Sequence, residues 1–555
     1  MKKSKQIIAV FLSAFLFVSL MAGCAGKNGK DSSESSSSTA SADQSTTAST
    51  SAASEDPFKE HMEISLAIWR AGEALPSDKE DKIRDMIYQK LNITIKPVNI
   101  TWDDWQQKVQ VWAMSNQLPD AFAFDGFSDT STYVNWIKQG IIQALPDDLS
   151  PYPNVKRVVD SEGTSYYKYP MGDPAAKVYA VPRLKIGSAE DSCLDYGVQV
   201  RKDWMENVGI TKEPENIDEF IALMKAFVEK DPDKDGKNNT IGLAMYDASY
   251  LQWIIAAYEP AAYDKWTRDE ENPGKWIPPF MTKDYLEGLK AIKKLYVAGG
   301  MDKDFATLKG EEGEDKMGNG KAGAYLHDSS ANVISYIGDK YEKAFPDKKY
   351  KDVVALMKPF KNYKDGKYYR RVSDLAWSET YINAKCDQNK ADRILRMCDY
   401  FMTDEGYNLT HYGIDGVDYK NEGGQIVLTP QKDASGKDIP LDTTYPIVKI
   451  ASLMEWSGTR WNVPTLHPEY YEMAKSLRDW YVQNAGTPEA DLRLAHLDTP
   501  SKGKGTFVAK DFIIQCLMSN DLEKTYNEQV KKFRANGYDK LIEEVNAEAE
   551  KLGIK

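Results

Sequence analysis

The chain predicts an α/β protein with two cores, and three observations carry that prediction. Its 555 residues exceed what one hydrophobic core ordinarily holds. Between residues 64 and 139, short apolar runs alternate with helical periodicities in the β-α-β-α-β order that builds a largely parallel sheet. Downstream, a strand ending at Arg201, two helices and a strand beginning at Thr240 form a further alternation.

The N-terminus reads as an address. Lys2, Lys3 and Lys5 precede an apolar run, residues 7–21, that is too short and too near the start for a stable membrane span. The run ends Leu20-Met-Ala-Gly-Cys24, which resembles a bacterial lipobox. That resemblance implies a signal peptide over 1–23 and acylation of Cys24, palmitate being the usual acyl group, with two or more chains giving a stable anchor. Residues 24–56 are Ser/Thr/Ala-rich and cannot bury enough apolar surface to order themselves. As a flexible tether they span on the order of 30 Å.

The body then opens with a strand at 64–69 (ISLAIW), a loop at 70–77 and a helix over 79–91. A strand at 93–98, a helix at 105–114, a strand at 118–124 and a helix at 133–139 follow. Trp105 and Trp112 lie seven apart on one helical face, which assigns them to the core. Residues 288–299 are amphipathic, 322–326 form a short buried strand, 391–402 a helix, and helices over 510–552 close the chain. Cys193, Cys386, Cys398 and Cys516 are widely spaced without a CxxC pair, so zinc is not expected, and Cys398 falls on an apolar helix face.

Residues 200–243 are the most informative stretch. A helix over 202–208 stops at Gly209, Pro214 fixes a turn, and Asn216 with Glu219 forms a capping-box pattern. Phe220, Leu223, Met224 and Phe227 share one face of the next helix. Then comes Asp231-Pro-Asp233-Lys-Asp235-Gly236-Lys237-Asn-Asn239, the front half of an EF-hand-type calcium loop: oxygens at positions 1, 3 and 5, a glycine for the sharp turn, and a backbone carbonyl next. Position 12 is Gly242, so the bidentate glutamate is missing, and a strand stands where a second EF-hand helix would begin. Three clustered carboxylates repel one another unless a cation compensates them; the alternative is a solvated acidic turn.

This block, with the Leu118-Pro-Asp segment, Val178-Tyr-Ala-Val-Pro182 and the Thr403-Asp-Glu-Gly406…Tyr412-Gly413 run, resembles the extracellular solute-binding proteins of ABC importers, in the oligosaccharide-binding lipoprotein group of Gram-positive bacteria. The resemblance covers nearly all of 57–555. It implies a periplasmic-binding-protein-like type II fold: two α/β lobes joined by a hinge, with a ligand cleft between them. Lobe 1 would hold 57–183 and 372–425, and lobe 2 would hold 184–371 and 426–555 with the calcium loop at 231–242. It also implies structural Ca2+ on Asp231, Asp233, Asp235, the Lys237 carbonyl and Asn239; family members can carry a further acid where this chain has Thr240.

In open α/β sheets ligands bind beyond the carboxyl ends of strands. Sugars, with apolar CH faces and hydroxyl rims, need aromatic platforms beside paired donors and acceptors. Residues of those types at strand ends and in crossings are Trp69, Arg70, Asp125, Phe127, Tyr250, Trp253, His327, Trp377, Glu379, Trp456, Arg460 and Trp461. A net charge of −13 disfavours nucleic acid, and the three leader lysines make the remaining body more negative still. Five histidines form no metal-binding spacing, and there is no nucleophile elbow, P-loop or dinucleotide fingerprint. The reading is a monomeric, lipid-anchored, non-enzymic receptor on the outer face of the membrane that captures an oligosaccharide for an ABC permease. A secreted polysaccharide-processing enzyme and a peptide-binding receptor of the same fold are the alternatives.

Overall fold

A computed structural model describes residues 56–554 apart from 103, 128–129, 264–265, 309, 424, 456–467 and 503–506. The expected leader, Cys24 and most of the expected tether lie outside the described residues, as do Trp456, Arg460 and Trp461.

Among the described residues, nine strands build the two larger sheets: β1 (Met62–Trp69), β2 (Ile93–Ile100), β3 (Ala121–Phe124), β4 (Val181–Leu184), β5 (Gly197–Arg201), β6 (Ile241–Met245), β7 (Ala322–His327), β8 (Val354–Leu356) and β9 (Ala376–Ile382). The first sheet has the order β2-β1-β3-β9-β4, and the second β8-β5-β7-β6. In the first, β1 runs parallel to β2 and β3, as the alternation predicts, while β9 is antiparallel to both β3 and β4. In the second, β6 and β7 are parallel, and β5 is antiparallel to β7 and β8. Each sheet anchors its own core. Ile64, Leu66, Ala67 and Ile68 are all fully buried, the continuous burial of a strand covered on both faces.

Local chemistry moves several boundaries. The helix expected from 79 begins at Lys82 because the Asp81 side chain caps it, accepting from the Arg84 N–H at 2.9 Å. Inside the expected loop, Ala71–Ala74 forms a helical turn behind Arg70, with Ala71 and Ala74 buried. The strand expected from 118 begins at Ala121, since the Asp120 carboxylate accepts from the Ser65 amide and hydroxyl, both at 2.8 Å. Cys398 is fully buried, as its helix face predicts, and burial pushes its thiol up to about 12.

The chain passes from the first sheet to the second after β4 and returns before β9. Its last departure differs from the boundary expected at 426. Tyr445, Ile447, Ile450, Leu453 and Met454 are buried in the first core, because Pro446–Leu453 lays an apolar face against it. The departure therefore follows Glu455, ahead of the helix Pro468–Asn484, whose Ala474, Leu477 and Tyr481 belong to the core of the second sheet. The closing helices, Ala509–Met518, Leu522–Phe533 and Asp539–Lys551, also serve the second half, with Phe512, Ile513 and Tyr526 in its core.

Candidate functional site

At the end of β1, Trp69 is 2% exposed and lies in a cluster of indoles. Trp102 stacks on it at 4.4 Å with the planes 8° apart, Trp377 stacks at 5.7 Å, and Trp105 meets it edge-on at 4.9 Å. Trp102 is 52% exposed, so it is the ring of this cluster most open to solvent. The buried Arg183 guanidinium lies 5.1 Å from the Trp69 ring. Arg70, forced to a φ of 64° at the turn after β1, is exposed and paired with Glu73 and Asp442 at 3.2 Å each.

The loop after β3 is held from beneath by Glu379, which is 1% exposed. Its carboxyl accepts from the Gly126 N–H at 3.0 Å, the Tyr381 hydroxyl at 2.7 Å and the Tyr167 hydroxyl at 3.0 Å. Burial, and then the charge of the adjacent Asp125, push its pKa up to about 8. Glu379 is thus a buried support of this loop rather than an open contact. Phe127 is also buried, stacked on Tyr167 at 3.8 Å and against His496 at 4.4 Å. Asp125 stays half-buried.

The ends of β6 and β7 carry a second aromatic cluster. His327 stacks on Tyr246 at 4.3 Å with planes 10° apart, and Tyr250 meets His327 at 4.7 Å and Tyr196 at 4.6 Å. Burial lowers the His327 pKa to about 4, so the imidazole is neutral at pH 7. Arg371 lies over Tyr196 at 4.9 Å and forms an ion pair with Asp195. Trp253 shares the lining of a small cavity with Tyr196 and Arg371. It is 4% exposed and packs against Phe360 and Phe220, because the helical turn Gln252–Ile255 points it inward.

A cavity of about 620 Å3 between Glu259, Arg268, Thr282 and Glu489 contains none of the predicted ligand residues. Arg268, which lines it, covers the buried Trp276 at 3.5 Å.

The acidic loop takes the form its sequence predicts. Carboxylate oxygens of Asp231, Asp233 and Asp235 lie within 4.8 Å of one another. Asp231 Oδ1 and Asp233 Oδ1 are both buried and accept no hydrogen bond from a donor. Burial, contact with the Asp231 carboxyl and the charge of Asp235 raise the Asp233 pKa. Orphaned buried carboxylate oxygens converging on one point fit a hard cation. Asn239 donates its Nδ2 to Asp235 at 3.0 Å, and the Thr240 hydroxyl turns inward to the Phe227 carbonyl at 2.6 Å. At Gly242, where an EF-hand carries glutamate, a Cβ would lie 2.4 Å from the Gly300 carbonyl oxygen and 2.6 Å from that of Met224. No side chain fits, because the loop feeds directly into the buried strand β6.

The sequence profile of bacterial extracellular solute-binding proteins matches residues 70–406, more than half of the chain. The chain belongs to that family. Among curated relatives of this solute-binding protein is the polygalacturonan/rhamnogalacturonan-binding protein YtcQ of Bacillus subtilis (strain 168), 26% identical over 479 residues, covering 84% of this chain and 87% of that one. Lipoprotein LipO of the same organism is 26% identical over 372 residues, covering 65% and 68%. The solved structure of the substrate-binding protein FusA of Streptococcus pneumoniae in complex with kestose superposes with a TM-score of 0.62 at 16% identity, over 88% of this chain and 99% of that one. That likeness gives the fold as type II, two α/β lobes.

Strand-end reasoning missed Trp102 and Tyr246. Trp102 follows β2, which runs on to Ile100 rather than stopping at Val98, and Tyr246 follows β6 directly. Tyr196 and Arg371 carried no such signal, since they lie in the connections between the two sheets.

Proposed function

We propose that this solute-binding protein is a monomeric, lipid-anchored receptor on the outer face of the membrane. It captures an oligosaccharide between two lobes, 57–183 with 372–455 and 184–371 with 468–555, and passes it unaltered to an ABC permease. The observation that carries the proposal is the chemistry of the two strand-end clusters. Trp69, Trp102 and Trp377 offer an apolar stack, and Tyr250, His327 and Arg371 combine ring faces with donors. A sugar presents CH faces and hydroxyls together and needs both. The names of YtcQ and FusA support a carbohydrate, and that of LipO supports an anchor at Cys24. Arg70 and Asp125 would line the rim, Phe127 and Glu379 would support it, and Trp456, Arg460 and Trp461 complete the proposed set.

Lobe closure follows if the ligand binds the closed form better than the open one. Tryptophan quenching titrations over a panel of neutral and uronic-acid oligosaccharides and peptides test the reading. Saturable quenching by glycans, thermal stabilisation and no shortened product support it; tighter peptide binding, or hydrolysis, defeats it.

Calcium would be held by Asp231, Asp233, Asp235, the Lys237 carbonyl and Asn239, where it would offset their mutual repulsion. A FusA structure described as an EF-hand mutant supports a cation site in relatives. Chelation is expected to lower the melting temperature, by an amount equivalent to about 3 kcal/mol if the ion stands at about a hundred times its Kd. Asp233→Ala is expected to abolish that response, and an unchanged melt after verified metal removal would exclude a stabilising site.

A further inference from the structure

We infer that Arg183 is a positioning residue for ligand capture, tying the tryptophan stack to described residues of the first half from which the chain departs and to which it returns. This rests on the two-lobed receptor proposed above. Arg183 sits on β4, the last strand of the first sheet before the chain departs, and is fully buried. Its Nη1 donates to Ser378 Oγ at 2.5 Å and its Nη2 to Thr380 Oγ1 at 2.9 Å, both on β9, where the chain returns. Its Nε donates to the Leu453 carbonyl at 3.0 Å, just ahead of the final departure after Glu455. Thr380 Oγ1 closes the ring of contacts by donating to the same carbonyl at 3.1 Å. Backbone bonds reinforce the junction: the Leu184 N–H donates to the Met454 carbonyl at 3.2 Å, and the Lys185 N–H to that of Leu375 at 2.9 Å.

The local backbone is shaped for this contact. Ser378 adopts a φ of 65°, and the pairing of β9 with β4 shifts register between Ala376 and Glu379. A serine in the left-handed region costs free energy and persists only where its surroundings over-determine it; here the kink presents the hydroxyl to Arg183. Three of the guanidinium's donors go to neutral oxygens, and its central carbon lies 5.1 Å from the centre of the Trp69 ring. What only arginine provides is a rigid fork that holds several acceptors at fixed angles. Trp69 touches both this fork and Trp102, so a sugar resting on Trp102 acts on the crossings through a single intervening ring.

The test uses the full chain, with kestose and a tetragalacturonide as probes and Arg183→Lys and the near-isosteric Thr380→Val as variants. In ligand-free protein, hydrogen exchange at the Leu184 and Lys185 amides is expected to rise roughly tenfold in both variants, while β1 and β2 keep their rates. Whichever probe the parent binds is expected to bind Arg183→Lys roughly tenfold more weakly, and Trp102→Ala to cost less affinity in that background than in the parent. Unchanged exchange at the crossings, a uniform rise through the whole protein, or additive affinity losses would overturn the inference. A parent chain that binds neither probe counts instead against the carbohydrate reading, and the exchange pattern then decides the role of Arg183 by itself.

Discussion

The two strand-end clusters differ in what they ask of their surroundings. The first is built from Trp69, Trp102, Trp105 and Trp377, with centroids 4.4 to 6.1 Å apart and a buried guanidinium alongside. The second is built from Tyr196, Tyr246, Tyr250 and His327 at similar spacings, with the Arg371–Asp195 ion pair alongside. Indoles give a broad apolar face with one donor each. Phenols and an imidazole give smaller faces with a polar atom at every rim. In the receptor proposed above, the first sheet would supply a platform and the second addressable polar contacts. The largest effect expected from breaking it is Trp69→Ala, which removes a buried ring from the base of the stack. The loss should be about 3–5 kcal/mol in a denaturant melt, accompanied by lost ligand quenching. A milder loss would mean that Trp102 and Trp377 collapse into the space, and that the stack is not a rigid platform.

The clusters should also titrate in opposite directions. Glu379, beneath the loop next to the first cluster, has a folded pKa of about 8 against an ordinary 4.5. The stability it contributes is complete below 4.5 and is lost as pH rises through 8. His327, in the second, has a folded pKa of about 4 against 6.5, so its contribution is complete above 6.5 and is lost as pH falls through 4. Each contribution is on the order of a few kcal/mol, since every tenfold change in proton affinity between the folded and unfolded chain is worth about 1.4 kcal/mol. Glu379→Gln should flatten the alkaline limb of a stability-versus-pH curve and His327→Gln the acid limb. A variant that flattens the wrong limb refutes the assignment.

Between these extremes lies Trp102→Ala. The ring is half exposed, so the fold should lose little, but an anchor aromatic at a binding site is worth about 2 kcal/mol or more. Titration should show a drop in affinity of roughly thirtyfold with an unchanged melt. Equal loss of stability and affinity would make Trp102 part of the core rather than the platform.

The strands, the acidic loop and most of the indoles were legible because each leaves a local trace: continuous apolar runs, alternate carboxylates, and tryptophans next to strand ends; Trp102 escaped because β2 runs on to Ile100. Trp253 shows that a position near a strand end does not settle how exposed a ring is; its short helical turn packs it against Phe220 and Phe360. Arg183 was invisible for the opposite reason. A charged residue in a short apolar run carries no sign of its partners, and these lie 195, 197 and 270 residues away at Ser378, Thr380 and Leu453. The boundary at 426 moves for a related cause, since the hairpin over 419–428, whose Tyr419, Ile426 and Leu428 pack with second-sheet residues, precedes the return of Ile447 and Ile450 to the first core.

The smallest effect gives the sharpest reading of the contrast. Tyr250→Phe keeps the ring that meets His327 and Tyr196 and removes only its hydroxyl. If the second cluster works through polar contacts, affinity should fall by about 1 kcal/mol, roughly fivefold, with most of the loss in enthalpy by calorimetry. The fluorescence of the bound state should be unchanged, because the indoles of the other cluster are untouched. Undiminished affinity would mean that the tyrosines serve by their faces as the tryptophans do, and the division between platform and polar contact would fall with it.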